Sequence, residues 1–501
     1  MSSQDKEMEI FIDSPKTSKS NKKKIDFNEY NLKAKLKFRT ILIILIIVII
    51  ILLIYFIVTV NNRFDGIIRE NEDEKEQTKL NRITAKYEVN TEHTVINLMN
   101  GIYSETDYFV ESMKINGVKI KNSINYTCDS PGTYTLEINF KEPLNSTEKM
   151  FQSCNELVEI DLRELNTEKI ENMVNMLYNC NNLRSVNVLD ITAPKLKNIK
   201  GMFKECLSLT SIDLSTFRAN ELEDISELFE GDEKLENINI NNFGSIKINN
   251  MKSLFFECNS LKSIDLSNFT TKNVEDMSYM FYMCINLTSL DLNNFDTSNT
   301  VSMSSMFFGC SSLKTLNINN FDTKKVNNMN LMFHSCDSLI NLDINNFETS
   351  NVESMFKMFS MCNNLKSLNL NNFNTSNVQN MAYMFEDCSS LVSLNLSNFD
   401  TSKVENMAYM FEECSSLESL DLSNFDTFNA KELGYMFSNC SSLNYIDISS
   451  FHITDNMEYS NIFTNISENG EIIYDSTKLI PEFILLLPSN WKKRKCSWYL
   501  H

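Results

Sequence analysis

Apolar and polar residues follow two rhythms within a segment of 26 residues that recurs along most of the chain. In one copy a single polar residue separates Leu394 from Leu396, and this period of two predicts a short strand with one buried face. The next apolar residues are spaced like one stripe of a helix. They are Val404, Met407, Met410, Phe411 and Cys414. The polar residues from Asn398 to Ser402 predict a turn that caps this helix.

Cysteine marks the register of the repeat. Its residues recur every 26 positions, with one gap of 52 in which Asp232 takes the expected place. They are Cys154, Cys180, Cys206, Cys258, Cys284, Cys310, Cys336, Cys362, Cys388, Cys414 and Cys440. One strand and one helix cannot bury their apolar residues alone, whereas stacked copies can. We therefore predict an α/β solenoid over residues 150–456, built from about twelve strand-plus-helix units with a parallel sheet on one face.

The repeated motif resembles that of the BspA-like leucine-rich-repeat surface proteins, a type of repeat also abundant in mycoplasma lipoproteins. The similarity lies in Met384-Phe385-x-x-Cys388-Ser389-Ser390-Leu391, followed by Ser393-Leu394-Asn395-Leu396-Ser397-Asn398-Phe399-Asp400-Thr401-Ser402, and it recurs in register over about residues 147–465. The resemblance implies a surface-exposed solenoid that attaches to host matrix proteins or to other cells. Two features depart from it: Asp232 replaces the marker cysteine, and an apolar N-terminal segment stands where mycoplasma members carry a lipid anchor.

That apolar segment covers residues 41–60, which are uncharged and rich in Ile, Leu and Val. Twenty residues of helix span about 30 Å, so the segment predicts a single transmembrane helix that acts as a signal anchor. Lysines and arginines precede it, and the positive-inside rule then leaves residues 1–40 in the cytoplasm as a basic, mostly disordered tail. The solenoid would lie on the extracellular or luminal side. Residues 61–83 predict a charged helical stalk.

An open solenoid exposes its core at both ends and needs caps. Residues 84–149 alternate in the manner of strands and predict a β-rich N-terminal cap. Residues 457–501 predict the C-terminal cap, which includes an apolar stretch too short to span a bilayer and a basic run at residues 492–495. We interpret the basic run as solvated, with contact to a small anion as the alternative.

Composition excludes several classes of protein. The net charge is −20, and residues 1–40 carry +4, so the remainder carries −24, which argues against nucleic acid as a partner. Ten Gly and six Pro exclude collagen-like and proline-rich chains. The four histidines are scattered, and metal-binding, phosphate-binding and catalytic motifs are missing. We therefore predict a protein that is not an enzyme, with no catalytic residues, no metal site and no cofactor.

The repeated cysteines have three interpretations. Equivalent residues of adjacent repeats could approach to about 5 Å, which is within the range of disulfides, and an exported protein meets an oxidising environment. Metal binding is a second possibility. We favour buried free thiols that act as small apolar side chains. The predicted structural ladder is Cys258, Cys284, Cys310, Cys336, Cys362, Cys388, Cys414 and Cys440.

The outward central position of each predicted strand is Asp or Asn in all twelve units. A hydrogen-bonded ladder of side chains that supports the sheet is one interpretation, a surface that contacts a ligand is another, and capture of Ca²⁺ by paired Asp is a third. The candidate ligand-facing row is Asp265, Asp291, Asn317, Asp343, Asn369, Asn395, Asp421 and Asp447.

These observations favour a non-catalytic surface protein that binds extracellular proteins, glycans or neighbouring cells through an extended solenoid face. One alternative is a structural coat protein whose solenoids pack side by side without a dedicated ligand. Another is a receptor that signals through residues 1–40.

Overall fold

A computed structural model describes residues 80–103, 105–240 and 247–496. The predicted tail at residues 1–40, the apolar segment at 41–60 and residues 61–79 of the predicted stalk lie outside the described residues.

The described residues contain no helix that is long and apolar enough to cross a membrane. The longest of their helices, Pro481–Leu486, has 6 residues, whereas about 20 are needed to span a bilayer. This finding corrects the prediction of an N-terminal single-pass anchor with the solenoid on the far side of a membrane. Residues 41–60 are themselves outside the described residues.

Short strands dominate the described secondary structure. The strands are β1 (Arg82–Val89), β2 (Thr94–Asn97), β3 (Val110–Ile115), β4 (Val118–Ile120), β5 (Asn125–Cys128), β6 (Gly132–Phe140), β7 (Leu157–Asp161), β8 (Ser185–Asn187), β9 (Ser211–Asp213), β10 (Asn237–Asn239), β11 (Ser289–Asp291), β12 (Thr315–Asn317), β13 (Ser419–Asp421), β14 (Tyr445–Ile448), β15 (Glu471–Tyr474) and β16 (Lys492–Lys495). The helices are a 3₁₀ turn at Gly101–Tyr103, α1 (Thr106–Phe109) and α2 (Pro481–Leu486).

The strands of the repeats stack in parallel, and each pairs with the strand 26 residues away. Ser289 lies opposite Thr315, and Ser419 lies opposite Tyr445. A second parallel ladder of single bridges joins equivalent positions from Ser146 to Glu458 on another side of the coil. The repeat region is therefore a β-solenoid, and the prediction of strand-plus-helix units is wrong.

The segment expected to be helical is a chain of tight turns. The N–H groups of Met384, Glu386 and Cys388 donate to the carbonyl groups three residues earlier, at 3.1 to 3.2 Å. The alternate N–H groups, on Met381, Tyr383, Phe385 and Asp387, donate to the next repeat at 2.7 to 3.0 Å. A helix would direct each N–H to the residue four positions earlier, so these bonds are incompatible with one.

Left-handed residues allow the turns to follow one another. Two positions per repeat, four residues apart, have positive φ, for example Tyr383 at 58° and Asp387 at 51°. Non-glycine residues adopt this conformation at a cost of about 1 kcal/mol or more. Glycine occupies an equivalent position at Gly201, Gly231 and Gly309. The inter-repeat hydrogen bonds hold the other copies in the same conformation.

The interior is built from identical side chains in register. Phenylalanine rings from Phe203 to Phe463 form one continuous row, with ring centroids 5.4 to 5.9 Å apart and nearly parallel planes. Methionines such as Met381 and Met384 are fully buried beside this row. Equal spacing of the backbone thus fixes an equal spacing of the core side chains.

Buried threonines join the repeats at the turn after each strand. The hydroxyl of Thr349 donates to the carbonyl of Asn374 at 2.9 Å and accepts the N–H of the same residue at 2.9 Å. Thr323, Thr375 and Thr427 make the same pair of bonds. The threonine therefore satisfies the polar backbone of a corner that has no Gly or Pro.

Both ends of the stack are closed by additional strands. At the N-terminal end β1 pairs antiparallel with β7, the first strand of the repeats, and β6 and β3 extend that sheet outwards. At the C-terminal end β15 and β16 continue the parallel sheet beyond β14. Phe483 of α2 is fully buried and contacts Phe463, the last ring of the phenylalanine row.

Candidate functional site

The outward face of the parallel strands holds a shallow groove of about 590 Å³. Four successive repeats line it, each with three consecutive residues of its strand position. These are Arg184 to Val186, Ser211 to Asp213, Asn237 to Asn239 and Ser263 to Asp265. Parallel strands about 4.8 Å apart place the equivalent hydroxyl, amide and carboxyl groups in rows across the groove.

The groove carries two carboxylates that are ionised at neutral pH. Asp213 accepts the N–H of Ser215 at 2.9 Å, and Asp265 accepts that of Ser267 at 3.0 Å. Hydrogen bonds from Ser215 lower the pKa of Asp213, and those from Ser267 lower the pKa of Asp265. Arg184 pairs with Glu88 at 3.0 Å, so its positive charge is already matched. The groove therefore suits a ligand that brings cations or hydrogen-bond donors.

The floor of the groove is aliphatic. Ile212 is buried, whereas Val186, Ile238 and Ile264 are only partly buried. Together with the polar rows, this floor offers the mixture of apolar area and oriented polar groups that a binding surface needs.

The predicted ligand-facing row meets the groove at one residue. Asp265 lines the groove, and the other seven, from Asp291 to Asp447, continue the same outward row over later repeats. Most of the row contributes to the backbone structure, since Asp343 accepts the N–H of Asn345 at 3.2 Å and Asp421 that of Ser423 at 3.0 Å. These bonds to the N–H two residues ahead start the turn, as Asx turns do. Two members also bond across repeats, since Asn369 donates to Asn345 and Asn395 to Asn371.

Sequence reasoning missed Arg184, Ser185, Ser211 and Asn237 as groove residues, although a signal for them exists. The apolar residue just before the Asp/Asn row is Val or Ile at positions 186, 212, 238 and 264, whereas it is Leu in the next six repeats. This change from β-branched residues to Leu coincides with the groove.

The cysteines of the repeats lie inside the coil as free thiols. All thirteen cysteines of the chain are among the described residues, and none forms a disulfide. From Cys258 to Cys440 each repeat thiol donates to a phenylalanine carbonyl 29 residues earlier, at 3.0 to 3.3 Å. Burial raises the pKa of these thiols, in Cys440 to about 12, so they remain protonated and unreactive.

Asp232 occupies the cysteine position of one repeat and is fully buried. Its Oδ1 accepts the N–H of Cys206 at 2.7 Å, while Oδ2 has no hydrogen-bond partner. Burial raises the pKa of this carboxyl well above its usual value. The core therefore favours the protonated form of this carboxyl, which lies in one of the repeats that line the groove.

One other cluster of polar side chains could suggest chemistry. His334 Nδ1 lies 3.0 Å from the hydroxyl of Ser360, which donates to Glu386 at 2.7 Å. Burial lowers the pKa of His334 to about 4, and Ser360 is fully buried. A substrate cannot reach this hydroxyl, so the arrangement stabilises the turn ladder. Among residues 80–103, 105–240 and 247–496 no three metal-binding side chains converge.

The repeats match a known family. The family is described as "Mycoplasma protein of unknown function, DUF285", and its profile matches residues 145–263, 249–368 and 357–474. This match supports the predicted similarity to mycoplasma repeats, while the BspA-like name stays a prediction. No curated protein matches the sequence significantly.

Several solved structures have some similarity to this chain. A Toll–Spätzle complex of Drosophila is 15% identical over 64% of this chain and 38% of that chain, with a TM-score of 0.23. A leucine-rich repeat protein from Eubacterium ventriosum is 16% identical over 61% of this chain and 85% of that chain, with a TM-score of 0.28. A TLR13–ssRNA13 complex is 15% identical over 67% of this chain and 50% of that chain, with a TM-score of 0.24. This chain thus spans less than two thirds of the length of the Toll and TLR13 chains. Similarity at these TM-scores carries no argument about function.

Proposed function

The chain belongs to the DUF285 family over residues 145 to 474, and from its strand face we propose that it is a non-catalytic binding protein that attaches to another protein or to a cell surface. The groove at residues 184 to 265 is the observation that carries the proposal. Its rows of hydroxyl, amide and ionised carboxyl groups over an aliphatic floor form an extended surface, which suits a large partner better than a small molecule.

Electrostatics indicate the kind of partner. The chain has a net charge of −20, and the groove carries the ionised Asp213 and Asp265. Complementary potentials accelerate association and select partners, so a basic protein surface is favoured. Equivalent contacts from the four repeats of the groove also suit repeated, individually weak binding.

A paired charge reversal tests the proposal. The purified chain is screened for binding to basic matrix proteins, glycans and intact cells, and the double variant Asp213→Lys/Asp265→Lys is compared with Asp421→Lys/Asp447→Lys. Each of the four carboxylates accepts the backbone N–H two residues further along the chain, so we expect the two variants to perturb folding to a similar extent. We expect binding to fall at least about tenfold in the first variant only.

Two outcomes would contradict the proposal. An equal loss of binding in both variants would show that the groove is not the contact surface. Failure of the unmodified chain to bind any member of a broad panel would favour a coat protein that packs side by side through other faces.

A further inference from the structure

The last strand of the solenoid, β16, differs in charge from every other strand of the parallel array. Its four residues, Lys492, Lys493, Arg494 and Lys495, are all basic and all exposed. The strand pairs in parallel with β15, with Lys492 opposite Glu471 and Lys495 opposite Tyr474. Among the described residues β16 is the last strand of its sheet, so none of them pairs with its other edge.

The backbone of β16 offers hydrogen-bonding groups along that outer edge. The N–H of Lys492 donates to Gly470 at 2.8 Å, and the N–H of Cys496 donates to Tyr474 at 2.9 Å. Alternate residues of a parallel strand direct their backbone groups to opposite neighbours. The backbone N–H and C=O groups of Lys493 and Lys495 therefore point away from β15. These are the groups that an extended peptide uses when it joins a sheet as an additional strand.

Two of the four cations share a single carboxylate. Lys492 and Arg494 both pair with Glu471, at 3.3 and 2.5 Å. Lys493 and Lys495 project from the opposite face of the strand, in line with Ile472 and Tyr474, which are buried in β15. Within the described residues neither of these two lysines forms an ion pair, so both ammonium groups are available to carboxylates on the same face of a strand added at the open edge.

Lysines on an edge strand can also protect it against aggregation, because incoming strands must desolvate them. The lysines therefore disfavour the addition of an apolar or basic strand to this edge, whereas they attract an acidic strand. An added strand places alternate side chains on the same face. Carboxylates two residues apart would therefore lie beside Lys493 and Lys495, while the backbone bonds to the free edge.

We propose that β16 is a docking strand for an extended acidic peptide of a partner protein, which joins the sheet along the free edge and places carboxylates beside Lys493 and Lys495. The site is separate from the strand-face groove at residues 184 to 265, and it gives the C-terminal end of the solenoid an interaction of its own.

Binding of a defined peptide tests this proposal on the full chain. The probe is a fluorescein-labelled peptide of alternating Glu and Thr, with a peptide of alternating Lys and Thr as its control, and fluorescence anisotropy measures affinity. We expect only the acidic peptide to bind, and to bind less well as salt is raised. Lys493→Glu/Lys495→Glu should weaken binding at least about tenfold, whereas Lys314→Glu/Lys366→Glu, an equal change of charge at exposed lysines elsewhere, should leave it unchanged.

A second pair of variants separates strand addition from simple charge attraction. Lys495→Pro removes an N–H that faces the open edge without touching the pairing with β15, and Lys495→Ala removes the same charge but keeps the N–H. Strand addition requires the proline variant to bind at least about fivefold more weakly than the alanine variant. Equal affinities would overturn it.

Other results would also overturn the proposal. Binding of anionic lipid vesicles, but not of the acidic peptide, with loss in Leu485→Ser, would identify a lipid-binding end, since Leu485 of α2 is 84% exposed. Self-association of Lys493→Glu/Lys495→Glu with no peptide binding by the unmodified chain would show that the lysines only protect the edge. The groove variant Asp213→Lys/Asp265→Lys should bind the peptide normally, so failure of the proposed function would not affect this test.

Discussion

One acidic residue interrupts the row of buried thiols, and its protonation should control stability. The carboxyl of Asp232 is fully buried, its Oδ2 has no partner, and burial raises its pKa well above the usual value. The folded state therefore binds a proton that the unfolded chain releases above about pH 4. The free energy of unfolding is therefore at its highest, as far as this group is concerned, below that pH. It falls by up to about 1.4 kcal/mol per pH unit as the pH rises towards the folded pKa.

We expect Asp232→Cys to raise the free energy of unfolding at pH 7 by about 2 kcal/mol or more, because a thiol restores the row and removes an unpaired buried oxygen. Urea unfolding at pH 4 to 8 measures the effect. Asp232→Asn is the control, since it keeps a polar side chain but cannot ionise. Its free energy of unfolding, relative to that of the natural protein, should increase with pH. A constant difference across this range would mean that the carboxylate is solvated in the folded protein.

The threonines at the corners test how much a single hydroxyl contributes. Thr349 is fully buried and satisfies both the N–H and the carbonyl of Asn374. Thr349→Val keeps the shape but leaves both groups unpaired, so we expect a loss of about 1 to 3 kcal/mol in urea unfolding. Thr349→Ser, which keeps the hydroxyl, should lose less. If serine is the more damaging change, packing of the methyl group dominates.

At the scale of the element, the sequence pattern identified which residues face inwards but not how their backbone is bonded. Met381, Met384, Phe385 and Cys388 are all buried, at the spacing of a helical stripe. A chain of turns with two left-handed residues four positions apart produces the same stripe. The difference lies in the N–H groups of Tyr383 and Asp387, which bond to the next repeat along the chain. A local pattern cannot encode that partner, so the helix prediction failed here.

The candidate site was predictable to a similar, partial extent. Period-two alternation places Ser211 and Asp213 on the outward face of their strand, which the structure also shows. The location of the groove depends on the depth of the strand face, and depth depends on how Val186, Ile238 and Ile264 pack against their neighbours. Packing depth is a property of several repeats together, which one unit of the sequence does not contain.

Left-handed residues allow a direct test of the turn ladder. Glu413 is exposed and has a φ of 60°, and Gly309 occupies the equivalent position four repeats earlier. We expect Glu413→Gly to be more stable than Glu413→Ala by about 1 kcal/mol, because only glycine adopts this conformation without strain. Thermal or urea unfolding of the two variants measures the difference. An α-helical segment would give the reverse order, since glycine disfavours a helix.

At the scale of the whole molecule, each repeat contacts mainly its neighbours, and stability is nearly a sum along one dimension. The phenylalanine row and the inter-repeat hydrogen bonds connect every unit to the next, so the ends are the places where the stack can fray. At the C-terminal end Trp491 is buried, and its indole N–H donates to the carbonyl of Ser467 at 2.9 Å. Its ring lies so close to Gly470 that a methyl group there would be 2.7 Å from it.

Removal of this cap should therefore act locally. We expect Trp491→Ala to reduce the protection of backbone amides against hydrogen exchange by about 100-fold or more in residues 443–474, because the last core layer loses its cover. Protection in residues 157–240 should stay unchanged, since many repeats separate them from the cap. Phe428→Ala, at an aromatic side chain that is 66% exposed, is the control and should alter neither region. An equal loss of protection along the whole array would show that the solenoid unfolds as one cooperative unit, and nearest-neighbour stacking would then be the wrong description of its stability.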